Sequence, residues 1–159
     1  MRKGFSFLII CFYLLLQNSI GDFAWAEGYG DPVTITTANG LCLDVKGGVL
    51  RNGTPVIVWP CHGGENQTWF MHSDGIIEMS NNKCLDLRSE NESNRPGVKA
   101  IIWTCHGRHN QRWWPGPRNS LRSGTNLCLD VKGGRMRPGD EVIMWPCHGG
   151  RNQRWIIRD

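Results

Sequence analysis

Leu41-Cys42-Leu43-Asp44, Trp59-Pro60-Cys61-His62-Gly63 and Asn66-Gln67-Thr68-Trp69 form a three-part signature along one stretch of chain. It returns as Lys83-Cys84-Leu85-Asp86, Trp103-Thr104-Cys105-His106-Gly107 and Asn110-Gln111-Arg112-Trp113. A third copy reads Leu127-Cys128-Leu129-Asp130, Trp145-Pro146-Cys147-His148-Gly149 and Asn152-Gln153-Arg154-Trp155. The spacing, 42 residues from Cys42 to Cys84 and 44 from Cys84 to Cys128, lies in the range that marks a repeat array. A unit of this size cannot bury its own apolar face, so the three copies must share one core.

Within a copy the pattern is that of strands. Val33 to Thr37 and Leu41 to Val45 alternate, and Val56-Ile57-Val58-Trp59 is a short β-branched run. Asn39-Gly40, Gly47-Gly48, Asn52-Gly53 and Gly63-Gly64 separate these runs with turn chemistry. No window sustains a helical period. Short strands at this spacing indicate an all-β barrel or sandwich, with about four strands per copy and about twelve in all, related by a pseudo-threefold axis. Trp69, Trp113 and Trp155, with Ile35, Leu43, Leu85 and Leu129, are the expected core.

Composition excludes several classes. The 159 residues are too few for a TIM barrel or a two-domain dinucleotide enzyme. The net charge of +4 is spread among acidic residues with no basic block, which argues against a nucleic-acid partner. Residues 1–26 have the layout of a secretory signal: Arg2-Lys3, an apolar run from Phe5 to Leu16, and Ala24-Trp25-Ala26 as a cleavage site. The run is short of the ~20 residues that span a bilayer, which favours a cleaved signal over an anchor and predicts no membrane insertion. Residues 27–159 are then the exported domain, with repeats at about 31–74, 75–116 and 117–159. Losing Arg2, Lys3 and Asp22 takes its charge from +4 to +3.

Cys11 leaves with the signal, and the remaining six cysteines allow 15 pairings that counting cannot resolve. If every repeat folds alike, the economical set is one bridge per repeat: Cys42–Cys61, Cys84–Cys105 and Cys128–Cys147. Each closes a loop of about 20 residues, worth roughly 3 kcal/mol, and each needs an oxidising compartment. A zinc site is the competing use of Cys beside His. It fits poorly, because an exported protein oxidises such cysteines and no C-x-x-C pair exists.

The threefold Cys-Leu-Asp and the threefold Gln-x-Trp (Gln67-Thr68-Trp69, Gln111-Arg112-Trp113, Gln153-Arg154-Trp155) resemble the ricin B-chain, or R-type lectin, family. The resemblance covers about residues 33–159. It implies a β-trefoil that binds saccharides, galactose-type or other, at up to three shallow sites. In the first site it implies that Asp44 accepts hydrogen bonds from two adjacent sugar hydroxyls, Trp59 is a platform under the ring, Asn66 bonds a hydroxyl and Gln67 braces the aspartate. The second set is Asp86, Trp103, Asn110 and Gln111; the third is Asp130, Trp145, Asn152 and Gln153. Many family sites carry Gln or Asn two residues before the aromatic, whereas this chain has Ile57, Ile101 and Ile143. Some family sites do carry Ile there, so the exchange removes a polar contact without abolishing a site.

The chemistry stands without the family. A pyranose offers hydroxyl rims and one face of C–H bonds, which an aromatic surface and a few fixed polar groups match. An ionised carboxylate makes the stronger, charge-assisted bonds to vicinal hydroxyls. The competing readings are a structural Asp in a turn and a buried Trp. His62, His106 and His148 read as rim contacts to sugar or solvated loop residues rather than general bases, since no nucleophile motif accompanies them. One repeated acid per unit also lacks the partner a glycosidase needs. Asn52-Gly53-Thr54, Asn66-Gln67-Thr68 and Asn91-Glu92-Ser93 are formal glycan-acceptor sequons.

The sequence therefore describes a secreted, non-catalytic lectin for cell-surface or polymeric glycans, with no cofactor and no metal. The alternative is a glycan-targeting or docking subunit with a catalytic or toxin partner. A trefoil protease inhibitor is a further rival, and leaves the threefold pattern unexplained.

Overall fold

The computed structural model describes residues 30–88, 95–124 and 127–159. The proposed signal at 1–26 and the Asn91 sequon lie outside the described residues. Twelve strands are present among them and no α-helix: β1 (Thr34–Thr37), β2 (Leu41–Val45), β3 (Val56–Pro60), β4 (Phe70–Met71), β5 (Ile77–Met79), β6 (Lys83–Leu87), β7 (Ala100–Thr104), β8 (Trp113–Gly116), β9 (Ser120–Ser123), β10 (Leu127–Val131), β11 (Val142–Pro146) and β12 (Trp155–Arg158). They pair as three four-stranded antiparallel sheets: β12-β1-β2-β3, β4-β5-β6-β7 and β8-β9-β10-β11. Each sheet takes the last strand of one repeat and the first three of the next. Pairing of β1 with β12, Ile35 opposite Ile157, therefore joins the two ends of the described chain. This is a β-trefoil.

The period of two along each strand decides which residues fill the core. In the β2–β3 hairpin, Leu43 and Val45 on one strand and Val56 and Val58 on the other are fully buried. Leu85, Leu87, Ala100 and Ile102 take these places in β6–β7; Leu129, Val131, Val142 and Met144 do so in β10–β11. Ile35, Ile77 and Leu121 add one buried side chain from the opening strand of each repeat. The three Trp of the Gln-x-Trp motifs complete the core, fully buried, each donating its indole N–H to the carbonyl of the motif leucine: Trp69 to Leu43 at 3.1 Å, Trp113 to Leu85 at 2.9 Å and Trp155 to Leu129 at 2.9 Å. Each bond satisfies a donor that burial would otherwise orphan, and ties the end of a repeat to its second strand.

Turns from each repeat reach to the next. Gly53 N–H donates to Ile102 O at 2.9 Å, Gly97 N–H to Met144 O at 2.7 Å, and Gly139 N–H to Val58 O at 2.8 Å. The cycle runs from first repeat to second to third and back to first, so the fold closes only with all three. Disulfides Cys42–Cys61, Cys84–Cys105 and Cys128–Cys147 staple the outer ends of the hairpins, one per repeat.

Candidate functional site

The outward face of each hairpin carries the candidate residues. In β2–β3, Asp44 stands opposite Ile57 and Cys42 opposite Trp59, so Asp44 and Trp59 are diagonal neighbours on one face, a relation that places Cβ atoms at most roughly 7–8 Å apart. The same register puts Asp86 and Trp103 on β6–β7, and Asp130 and Trp145 on β10–β11. The three indoles are 42–43% exposed, against 0% for the three core indoles. One short motif thus supplies a filler Trp and another a surface Trp.

A single 3₁₀ turn, Glu65–Gln67 in the first repeat, swings two amides over the carboxylate. Asn66 Nδ2 donates to Asp44 Oδ2 at 2.9 Å and Gln67 Nε2 to the same oxygen at 2.7 Å. Gln67 also donates to Pro60 O at 3.0 Å and accepts the His62 N–H at 2.8 Å, and is fully buried. Its role is therefore to hold the aspartate and the Cys-His loop together, out of reach of solvent. In the third repeat Asn152 donates to Asp130 Oδ1 at 2.9 Å and Gln153 to Oδ2 at 2.8 Å. In the second, Asn110 donates to Asp86 Oδ1 at 2.7 Å and Gln111 to Oδ2 at 2.6 Å. Asn110 is 3% exposed, while Asn66 and Asn152 are half-buried, so the second cluster is the most buried. Ile57, Ile101 and Ile143 face the aspartates across the strands at 4–5% exposure and form an apolar wall beside them.

The carboxylates lie deeper than a surface acceptor would: the Asp side chains are only 3–4% exposed. Burial pushes the Asp86 and Asp130 carboxyls above the ordinary aspartate value. In Asp86 the Gln111 amide, His106 and the Asn110 amide oppose that rise; in Asp130 the Gln153 and Asn152 amides and His148 do.

Two features escaped the sequence reading. Each motif histidine turns back on its aspartate, Nε2 to carboxylate at 3.5 Å for His62, 3.3 Å for His106 and 3.3 Å for His148. Its Nδ1 accepts a backbone N–H, from Gly64 at 3.2 Å, Arg108 at 3.2 Å and Gly150 at 3.1 Å, which assigns the neutral ring's proton to Nε2, facing the carboxylate. The histidines thus serve as carboxylate partners. The variable residue of Gln-x-Trp also acts on the loop. Thr68 donates to Gly64 O at 3.2 Å, Arg112 to Gly107 O at 2.9 Å and Arg154 to Gly149 O at 3.2 Å. Different side chains do the same job, which a motif comparison hides.

Among the described residues no group of three His, Cys, Asp or Glu could hold a metal ion, and no helix is long and apolar enough to cross a membrane.

A β-trefoil with a buried aspartate, two amides and an exposed indole on each hairpin defines a class of repeat proteins with one polar-aromatic cluster per repeat. Residues 31–155 match the family model of the ricin-type β-trefoil lectin domain, and the chain belongs to that family. Among curated proteins it is 38% identical over 81 residues to the agglutinin of Ricinus communis, covering 48% of this chain and 14% of that protein. It is 39% identical over 66 residues to β-galactoside-specific lectin 2 of Viscum album, covering 35% and 12%. The chain thus spans a small part of the curated relatives it matches. Among solved structures, the agglutinin from Abrus precatorius superposes with a TM-score of 0.72 at 25% identity, over 83% of this chain and 49% of that one. The designed threefold-symmetric protein ThreeFoil superposes with a TM-score of 0.70 at 27% identity, over 80% and 98%.

Proposed function

We propose that this lectin domain is exported and non-catalytic, and that its three dishes each hold a saccharide ring. The pyranose C–H face lies on Trp59, Trp103 or Trp145. Two adjacent hydroxyls donate to Asp44, Asp86 or Asp130, and Asn66, Asn110 or Asn152 bonds a hydroxyl from the side. Gln67, Gln111 and Gln153 position the acids without touching the sugar; Ile57 and Ile143 back them, and His62 and His148 line the rim. The observation that carries this reading is the threefold coincidence, on one hairpin face, of a half-exposed indole and a buried carboxylate fixed by two amides. Each dish has one buried acid, whereas glycoside hydrolysis uses two opposed carboxyl groups.

A single dish of this kind binds at about millimolar strength, about 4 kcal/mol. Three on one body raise avidity by roughly 10²–10⁴ where spacing allows, so polymeric or cell-surface glycans are the targets. The name of the Viscum album relative puts β-galactosides first among the saccharides to try. A glycan array should give signal that falls stepwise as Asp44→Ala, Asp86→Ala and Asp130→Ala are combined. Full signal from a folded triple variant would overturn the assignment.

A second reading, a glycan-targeting subunit for a toxin or enzyme partner, is favoured by one relative: a ribosome-inactivating protein of Polygonatum multiflorum is 40% identical over 57 residues, 9% of its length. Co-purification of a catalytic polypeptide with the native chain would support it.

A further inference from the structure

The three turns that bond to the next repeat are not alike in sequence. Two read Arg95-Pro96-Gly97-Val98 and Arg137-Pro138-Gly139-Asp140; the first reads Arg51-Asn52-Gly53-Thr54. All three turn the same way, with the fourth N–H donating to the first carbonyl (3.1 Å from Thr54 to Arg51, 3.4 Å from Val98 to Arg95, 3.0 Å from Asp140 to Arg137) and the glycine at φ near +90°. Pro followed by Gly is the ordinary filling for such a turn. The first repeat gives up the proline and in doing so acquires Asn-Gly-Thr.

We propose that Asn52 is an N-glycan acceptor and that its glycan covers the second dish. Asn52 is exposed. Its Oδ1 accepts from Thr104 N–H at 2.9 Å, Thr104 Oγ1 at 3.1 Å and Lys83 Nζ at 3.0 Å, which fixes the carboxamide against the second repeat. Nδ2 makes no hydrogen bond to a described residue, so the acceptor nitrogen is available while the oxygen stays anchored. N-linkage leaves that oxygen an acceptor, so the bridge to Thr104 survives modification. Asn66, the other described sequon, is the opposite case: its Nδ2 is committed to Asp44 at 2.9 Å.

The location decides the consequence. Thr104 follows the platform Trp103, and a Cβ on Gly53 would lie 3.8 Å from Trp103 Cζ3. A sugar on Asn52 therefore starts beside that indole. The turn beside Trp59 carries Pro138, the turn bonded to Met144 carries Pro96, and neither takes such a group. In the transfer, Nδ2 loses a proton and bonds to C1 of the reducing-end N-acetylhexosamine of a polyprenyl-pyrophosphate-linked oligosaccharide; the C1–O bond breaks and polyprenyl pyrophosphate leaves.

That the covered dish is a binding site rests on the reading above; coverage of Trp103 does not. The full chain, secreted from a eukaryotic line with its own N-terminus, is compared with Thr54→Ala, which removes the sequon and leaves the Asn52 bonds. Peptide mass mapping should find glycan on Asn52 in the first and none there in the second. Hydroxyl-radical footprinting should then oxidise Trp103 several-fold more slowly than Trp59 and Trp145 in the glycosylated chain, and at a matching rate in Thr54→Ala. An unmodified Asn52, or equal Trp103 oxidation in both proteins, overturns the proposal. A protected Trp103 in a protein that binds no saccharide in either form upholds the coverage and overturns the carbohydrate reading instead.

Discussion

Replacing the platform indoles one at a time, Trp59→Ala, Trp103→Ala and Trp145→Ala, separates binding from folding. Each indole is 42–43% exposed. On a side chain of roughly 250 Å² this leaves on the order of 100 Å² in water. A pyranose resting on one face covers about half of that and loses a similar area of its own. At about 25 cal/mol per Å² the contact contributes about 2.5 kcal/mol, or about 70-fold in affinity. The covered part of the indole abuts the neighbouring repeat's turn, with a Gly139 Cβ position 3.7 Å from Trp59, so folding loses only about 1–2 kcal/mol. Trp155→Ala is the contrast: fully buried and bonded to Leu129, its loss costs about 3–5 kcal/mol. Affinity for a monovalent saccharide, read by frontal affinity chromatography beside urea unfolding, distinguishes the two. An unchanged number of binding sites in every single variant, together with unchanged affinity in the triple variant, would refute the stacking argument.

Acidification should release saccharide from the second and third dishes while the protein stays folded. Burial raises the Asp86 and Asp130 carboxyls above their unfolded values. Keeping them ionised at neutral pH therefore costs stability, and that cost disappears as pH falls through the raised values. Binding should decline at a higher pH than an ordinary aspartate would set, with the circular-dichroism signal intact; loss that coincides with unfolding contradicts this. Gln153→Ala should destabilise by about 2–3 kcal/mol in urea, because it removes the bonds to Asp130, Pro146 and His148 from a fully buried site, and should weaken the third dish. Replacing Cys128 and Cys147 by Ser should cost about 3 kcal/mol, read as a lower midpoint that matches no change in sites one and two.

Much of this architecture is legible in the sequence because it is local. Cys-Leu-Asp places Leu43 inward and Asp44 outward by strand alternation alone, and repetition makes Cys42–Cys61 the economical bridge. The two kinds of Trp are harder. Both motifs are compatible with burial, and only the register that sets Trp59 opposite Cys42 shows it to face outward. The histidine contacts depend on a Cys-His loop folding back over β2, and the depth of the aspartates depends on the 3₁₀ turn that covers them. The contact between Gly139 and Trp59 was illegible for another reason: it joins the third repeat to the first, and a linear period carries no record of cyclic closure.

The most direct test follows the indole N–H signals of the seven Trp in residues 27–159 by proton–nitrogen correlation NMR while a β-galactoside or an array-selected saccharide is added. The account predicts that Trp59, Trp145 and, in protein lacking glycan at Asn52, Trp103 shift on binding, while Trp69, Trp113 and Trp155 stay in place along with the exposed Trp114. Shifts confined to Trp114, or none at a saccharide concentration well above millimolar, would contradict it.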